Sequence, residues 1–332
     1  MQRSTCLLLA MTGLALLGGW AAPARAQADA ERTDKSPVKP KPPTRLEVEG
    51  GVLAVHFSPG KFRLSNKQML AWIARSARAV AVYYGRFPVR STDILVIPVD
   101  GKGVKGGKAF GGQDAWLRVR VGRDSDLEDL RKDWVMVHEM THLAFPKLDD
   151  RHGWLTEGLA VYVESIARLQ AGDLDTAFVW RGFLAGMKHG LPQAGDRGLD
   201  HTPTWGRTYW GGAIFCLVAD IEIRRQSGGR MGLQDGLRGV IAAGGSFKQH
   251  WQIRRALSVA DQATGTTVLT DLYEAWRATA VDPKLDAIWS RLGVRPDGKG
   301  VRFDDRAPLA AVRLRIGQAP DDEGRKARSN AP

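Results

Sequence analysis

The dominant hydrophobic period of this chain shifts near residue 124, and that shift decides the fold class. Before it the pattern is that of strands. Leu46–Phe57 alternates around Gly50-Gly51, which reads as a hairpin turn. Asp93–Val99 is a short apolar strand that ends in a flexible tract, Asp100–Gly107. Trp116–Val121 places Leu117, Val119 and Val121 on one face and Trp116, Arg118 and Arg120 on the other. One helix interrupts the strands: Ser65-Asn66-Lys67-Gln68 has the form of a capping box, and Leu70, Ile73, Ala77, Val80 and Tyr84 follow at helical spacing. After residue 124 the pattern is helical. Ser125-Asp126-Leu127-Glu128 has capping-box form and opens a helix that runs to Phe145-Pro146. Helical patterns then cover about Leu155–Gln170, Phe178–Lys188, Tyr209–Arg225 and Leu233–Ala243, with two or three more between Arg254 and Leu292. Strands followed by helices predict an α+β unit over residues 45–317. A small, mixed-sheet half (45–124) precedes a helical half (125–317), with a cleft between them.

The ends of the chain read differently. Met1–Ala26 has a charged start at Arg3, an apolar run over Leu7–Leu17, and small residues at Ala24 and Ala26, the pattern of a cleavable export signal; an uncleaved anchor is the alternative. Gln27–Thr44 carries Pro37, Pro40, Pro42 and Pro43 among lysines and predicts an extended linker. The polar tail from Gln318 to Pro332 predicts disorder. No other apolar run is long enough to cross a bilayer, so a periplasmic or secreted protein without a membrane span in its mature part is expected. With 43% hydrophobic and 25% charged residues, wholesale disorder and a multi-pass membrane protein are excluded. The only two cysteines, Cys6 and Cys216, exclude a disulfide scaffold, and Cys216 reads as a small buried hydrophobe.

Chemistry concentrates in His138-Glu139-Met140-Thr141-His142. Histidines four apart on a helix share one face, so both imidazoles can reach a single tetrahedral zinc ion. Glu139 is rotated off that axis, where it can act as general base without being a ligand. A catalytic zinc needs a third protein ligand and an open position. The metzincin arrangement would require Gly at 145 and His at 148, where the chain has Phe145 and Leu148. The gluzincin arrangement requires a glutamate on the next helix, and Trp154-Leu155-Thr156-Glu157-Gly158-Leu159-Ala160 supplies Glu157. Glu164, further along that helix, reads as solvent-facing.

Val135–Glu164, with HEMTH followed by WLTEGLAVYVE, resembles the peptidase MA-like gluzincins, zinc metallopeptidases with a thermolysin-like catalytic unit. Thr208–Gly229 is similar to a segment of the glycyl aminopeptidase family and, more loosely, of the aminopeptidase N family. The resemblance spans about Ala109–Gly245. It implies one zinc per chain on His138, His142 and Glu157, with Glu139 as base and a peptide or protein as substrate. It also implies that Tyr209, in Tyr209-Trp210-Gly211-Gly212-Ala213, stabilises the oxyanion, although Gly211 stands where the related aminopeptidases have lysine. Gly111-Gly112-Gln113-Asp114 stands where those enzymes carry a glycine-rich motif whose terminal Glu grips a free amino group; Asp114 is one carbon shorter. His152 and His201 are each either a second transition-state donor or a polar loop residue.

The chain carries 48 basic and 36 acidic residues, net +12. Of these, 13 basic and 4 acidic residues fall in Gly51–Asp124, whereas Ser125–Gln170 is net acidic. No nucleic-acid-binding motif appears, so a specific nucleic-acid partner is not expected. The expectation is a basic cleft wall, with Trp116–Val121 as the edge on which a peptide lies and Arg118 and Arg120 meeting acidic substrates, or an anionic envelope surface as partner. The rival reading is a catalytically inactive, gluzincin-scaffold binding protein of the cell envelope.

Overall fold

A computed structural model describes residues 42–112 and 114–319. The expected export signal, most of the expected linker and all but the first two residues of the expected tail lie outside the described residues. The chain opens with β1 (Thr44–Val48) and β2 (Gly51–Phe57), an antiparallel hairpin turned at Glu49-Gly50, where both residues have positive φ. Then come α1 (Asn66–Tyr84), β3 (Ser91–Val99), β4 (Val104–Phe110) and β5 (Trp116–Gly122). The five strands form one sheet in the order β1-β2-β3-β5-β4. β3 runs parallel to both β2 and β5, and the crossover from β2 to β3 is made by α1, as parallel neighbours require. Ser65 caps α1 reciprocally with Gln68, and Gly85 ends it in the left-handed conformation that glycine adopts without a steric cost.

One face of the sheet is buried. Leu53, Val55, Ile94, Val96, Leu117, Val119 and Val121 pack with α1 and the following helices into a continuous apolar core. Their alternates Ala54, Leu95, Ile97, Trp116, Arg118 and Arg120 stay half-exposed on the opposite face, as a period of two dictates.

The helical part starts with α2 (Leu127–Arg131), α3 (Val135–His142), α4 (Gly153–Gln170) and α5 (Thr176–Gly186). A π-helical turn, Gly206–Gly211, runs into α6 (Gly212–Gln226), followed by α7 (Leu233–Ala242), α8 (Ile253–Thr264), α9 (Val268–Trp276) and α10 (Leu285–Leu292). A hairpin of β6 (Val294–Asp297) and β7 (Gly300–Phe303) and a last helix, α11 (Ala310–Gly317), complete the described residues. None of the helices among them is long and apolar enough to cross a membrane. Cys216 is a buried free thiol inside α6.

Four expectations need correction. The tract Asp100–Gly107 is strand from Val104 onward, so β4, not Trp116–Val121, is the edge of the sheet. The single helix expected from Ser125 to Phe145 is two. Asp126 and Asp129, one residue later than expected, form the capping box of α2, while the Ser125 hydroxyl donates to the Gly122 carbonyl. Helix α2 ends at Arg131, and Asp133 starts α3 anew by accepting from the backbone N–H groups of Val135 and Met136 at 2.8 and 3.2 Å. Finally, Glu164 is buried, not solvent-facing. Seven residues are within 20° of two full turns, so Glu164 shares the inward face of α4 with Glu157, and there it pairs with Arg168 at 3.3 Å.

The helical part is locked where α4 crosses the start of α6. A Cβ on Gly158 would overlap the backbone of Gly212, and a Cβ on Gly212 would overlap the Trp154 carbonyl. Substituting Gly158→Ala should therefore force the helices apart and cost about 2–3 kcal/mol, read as a lowered denaturant midpoint.

Candidate metal centre

Helix α3 is only eight residues long, yet nearly all of it is buried. Val137, Met140 and Leu143 face the core. His138 and His142, one turn apart, point toward α4. Glu157 projects from the second turn of α4 to meet them: its Oε2 is 3.1 Å from His138 Nε2 and 3.7 Å from His142 Nε2. One ligand atom from each of the three residues lies within 4.8 Å of the other two. Two imidazole nitrogens and one carboxylate oxygen at this separation suit a tetrahedral zinc ion with one position left open.

The electrostatics favour two of these donors, His142 and Glu157. Burial holds the His142 imidazole neutral, its pKa lowered to about 4, which leaves a lone pair free to coordinate. Burial opposes the charge on Glu157, but the two histidines outweigh it and draw its carboxyl down to about 2, so it is ionised. Burial also opposes a charge on His138; the hydrogen bond and charge of Glu157, with Glu139 and Glu164 nearby, overcome it and raise that pKa.

Glu139 is 7% exposed and lies against the edge strand. A Cβ on Gly107 of β4 would be 2.5 Å from Glu139 Cγ, and the Ala109 N–H donates to the Glu139 carboxylate. Burial pushes its carboxyl up to about 7, in the range where a group can both take and return a proton near neutral pH. His138 and Tyr209 approach with ring centroids 6.5 Å apart. Tyr209 reaches this position because the π-helical turn is fixed by Arg207, whose buried side chain pairs with Asp196 at 2.7 Å and donates to the Gly190 carbonyl. The glycine at 211 has a physical reason: a Cβ there would already lie 3.2–3.3 Å from Leu199, Arg207 and the Gly190 carbonyl, leaving little room for a lysine side chain to start.

The remaining candidates separate. Trp116, Arg118 and Arg120 are on the interior strand β5, on the face of the sheet opposite to Gly107 and Glu139. They face away from α3, because their strand positions alternate with those that face it. Asp114 is exposed in the loop after β4. That loop borders the centre, since Gly112 N–H donates to the Phe247 carbonyl at 3.4 Å and the Phe247 ring is 6.1 Å from His142. His152 is buried and bonds Asp200 at 2.9 Å, while the exposed His201 takes part through its backbone: its N–H donates to the Gly198 carbonyl and its carbonyl accepts from Arg197.

Sequence reasoning missed Asp200 and Asp133. Asp200 accepts from Trp154 and Tyr273 at 2.8 and 2.9 Å as well as binding His152, and so ties the first turn of α4 to α9. It stands 46 residues from Trp154, too far for any local pattern to report. Asp133, by contrast, sits in the local Asp-x-x pattern of an N-cap immediately before the histidine helix, and also accepts from Trp72.

Over 76% of its length the chain has a fold similar to that of an aminopeptidase N family protein from Idiomarina loihiensis, with 14% identity and a TM-score of 0.56. An M1 zinc metallopeptidase from Deinococcus radiodurans aligns over 74% of the chain with 15% identity and a TM-score of 0.48. The chain spans about half of each of these proteins, 49% and 53%. No protein-family model matches the sequence, and no curated protein matches it either. The likeness is one of fold.

Replacing Asp133 by Ala should cost about 1–2 kcal/mol through loss of the cap on α3, whereas Asp133→Asn, which still accepts, should lose less. Equilibrium unfolding of the two variants measures the difference.

Proposed function

We propose that this chain is a zinc-dependent metallopeptidase of the gluzincin type that hydrolyses peptide bonds outside the cytoplasm. The observation that carries the reading is the meeting of His138, His142 and Glu157 at one point with Glu139 buried beside them. A fold similar to that of an aminopeptidase N family protein supports it, and the Met1–Ala26 pattern supports export. His138, His142 and Glu157 would hold the metal. Bound zinc supplies Lewis acidity, polarising the scissile carbonyl and acidifying a water molecule.

The chain's own groups do the rest. Glu139, held in place by Gly107 and the Ala109 N–H, takes the proton from the attacking water and returns it to the leaving amine. Tyr209, beside His138, donates its phenolic O–H to the developing oxyanion. Asp114, on the loop bordering the centre, is the group that would receive a substrate's free amine.

Incubation with a diverse peptide mixture, followed by mass spectrometry, tests the reading. Cleavage should vanish with chelator and return with zinc. Trimming of N-termini that Asp114→Ala suppresses would assign an aminopeptidase, and interior cuts an endopeptidase. Glu139→Gln should keep stoichiometric zinc and lower turnover by about 10²–10⁴-fold. Stoichiometric zinc with no cleavage of any peptide by the native protein would return it to a binding role.

A further inference from the structure

We propose that the outer face of the five-stranded sheet is a docking surface for anionic phospholipid, built from Lys108, Arg118 and Arg120 around the stacked rings of Phe110 and Trp116. Strand register assembles this face. Lys108 pairs with Arg118, Gly106 with Arg120, and Phe110 with Trp116, so all of these side chains emerge on the side away from the helices. The rings of Phe110 and Trp116 stack at 4.1 Å and 8°. The charged ends of Lys108 and Arg118 both come to the Phe110 ring, at 5.5 and 5.3 Å from its centroid.

Two cations directly opposite each other across a pair of strands repel, and folding gains nothing from putting a third, Arg120, on the same face. Among the described residues none of the three forms an ion pair. Asp93, on the same face, is engaged by His56 at 2.7 Å, and Glu47 lies across the sheet on β1. An anion lodged between Lys108 and Arg118 relieves the repulsion. The neighbours on β3 add the second requirement of a membrane surface. Leu95 and Ile97, paired in register with Arg118 and Arg120, are half-exposed apolar side chains beside the cations. Aromatic, aliphatic and basic groups on one face match the interfacial layer of a bilayer containing anionic lipid.

A single-stranded nucleic acid fits less well, because base stacking needs an open ring face. The Phe110 ring already carries Trp116 on it and the two cations near it. The surface is independent of the metal reading: Glu139 meets β4 at Gly107, which points to the opposite side of the sheet, so docking leaves that side uncovered.

Co-sedimentation of the exported protein with vesicles tests the proposal. Vesicles of phosphatidylglycerol mixed with phosphatidylcholine should retain it, phosphatidylcholine alone should not, and added salt should release it. At about fivefold per cation, the variant Lys108→Gln/Arg118→Gln/Arg120→Gln should bind about a hundredfold more weakly at low salt. The variant Arg118→Lys/Arg120→Lys, which keeps the charges, should retain most of the binding. An unchanged thermal midpoint and unchanged zinc content in the glutamine variant would show that the fold is intact. Equal binding of native protein and glutamine variant, or equal binding to neutral and anionic vesicles, overturns the proposal. Tighter binding to a single-stranded oligonucleotide than to the anionic vesicles, lost in the same variant, assigns the face to nucleic acid instead.

Discussion

Two helices touch backbone to backbone at Gly158 and Gly212, and the geometry of the centre follows from that contact. Glu157 is the residue before Gly158, and Tyr209 is three before Gly212. Bringing the glycines together sets the side chains of Glu157 and Tyr209 beside the histidine helix. Side chains adapt by rotamer, but two backbones in van der Waals contact have little freedom, so the crossing acts as a fixed hinge pin. The Asp200 hub at the first turn of α4 and the Arg207–Asp196 pair on the π-helical turn hold the two sides of that crossing.

Within the centre, each titratable group takes its protonation tendency from its immediate surroundings. A half-buried carboxylate next to two imidazoles is ionised, a half-buried imidazole is neutral, and a second carboxyl, deprived of water and touched by one N–H, sits near neutrality. The difference between Glu139 and Glu157 is one of neighbours: Glu157 faces both histidines, whereas Glu139 faces a glycine and a backbone amide. Identical side chains 18 positions apart thus take opposite protonation tendencies from their surroundings.

The part of the site that was legible in the sequence is the part encoded within single elements. His138 and His142 declare themselves by a spacing that belongs to any helix, and the alternation of Leu117, Val119 and Val121 gave the inward face of β5 correctly. Strand β4 was not legible, because Val104-Lys105-Gly106-Gly107-Lys108 has neither apolar alternation nor β-branched residues beyond the first. Its extended state comes from pairing with β5, a tertiary effect. Arg118 and Arg120 lie on the sheet face away from α3, because they alternate with the inward Leu117, Val119 and Val121. Glu164 misled for a different reason: a charged residue on a helix is usually solvated, and its burial here rests on Arg168 and the Ser165 hydroxyl.

The seat of Glu139 is made largely of main chain. Gly107 contributes by having no side chain, and Ala109 by its amide, so a scan that truncates side chains along this strand would find little and miss its importance. The strand is also a poor place to engineer. Any residue larger than glycine at 107 intrudes on Glu139, and a one-residue shift that brings position 108 into its place replaces that gap with the flank of a lysine. Altering what the protein accepts is better attempted from the loop around Asp114 or from exposed Trp205, whose ring lies 6.4 Å from Tyr209, where bulk can change without disturbing the strand.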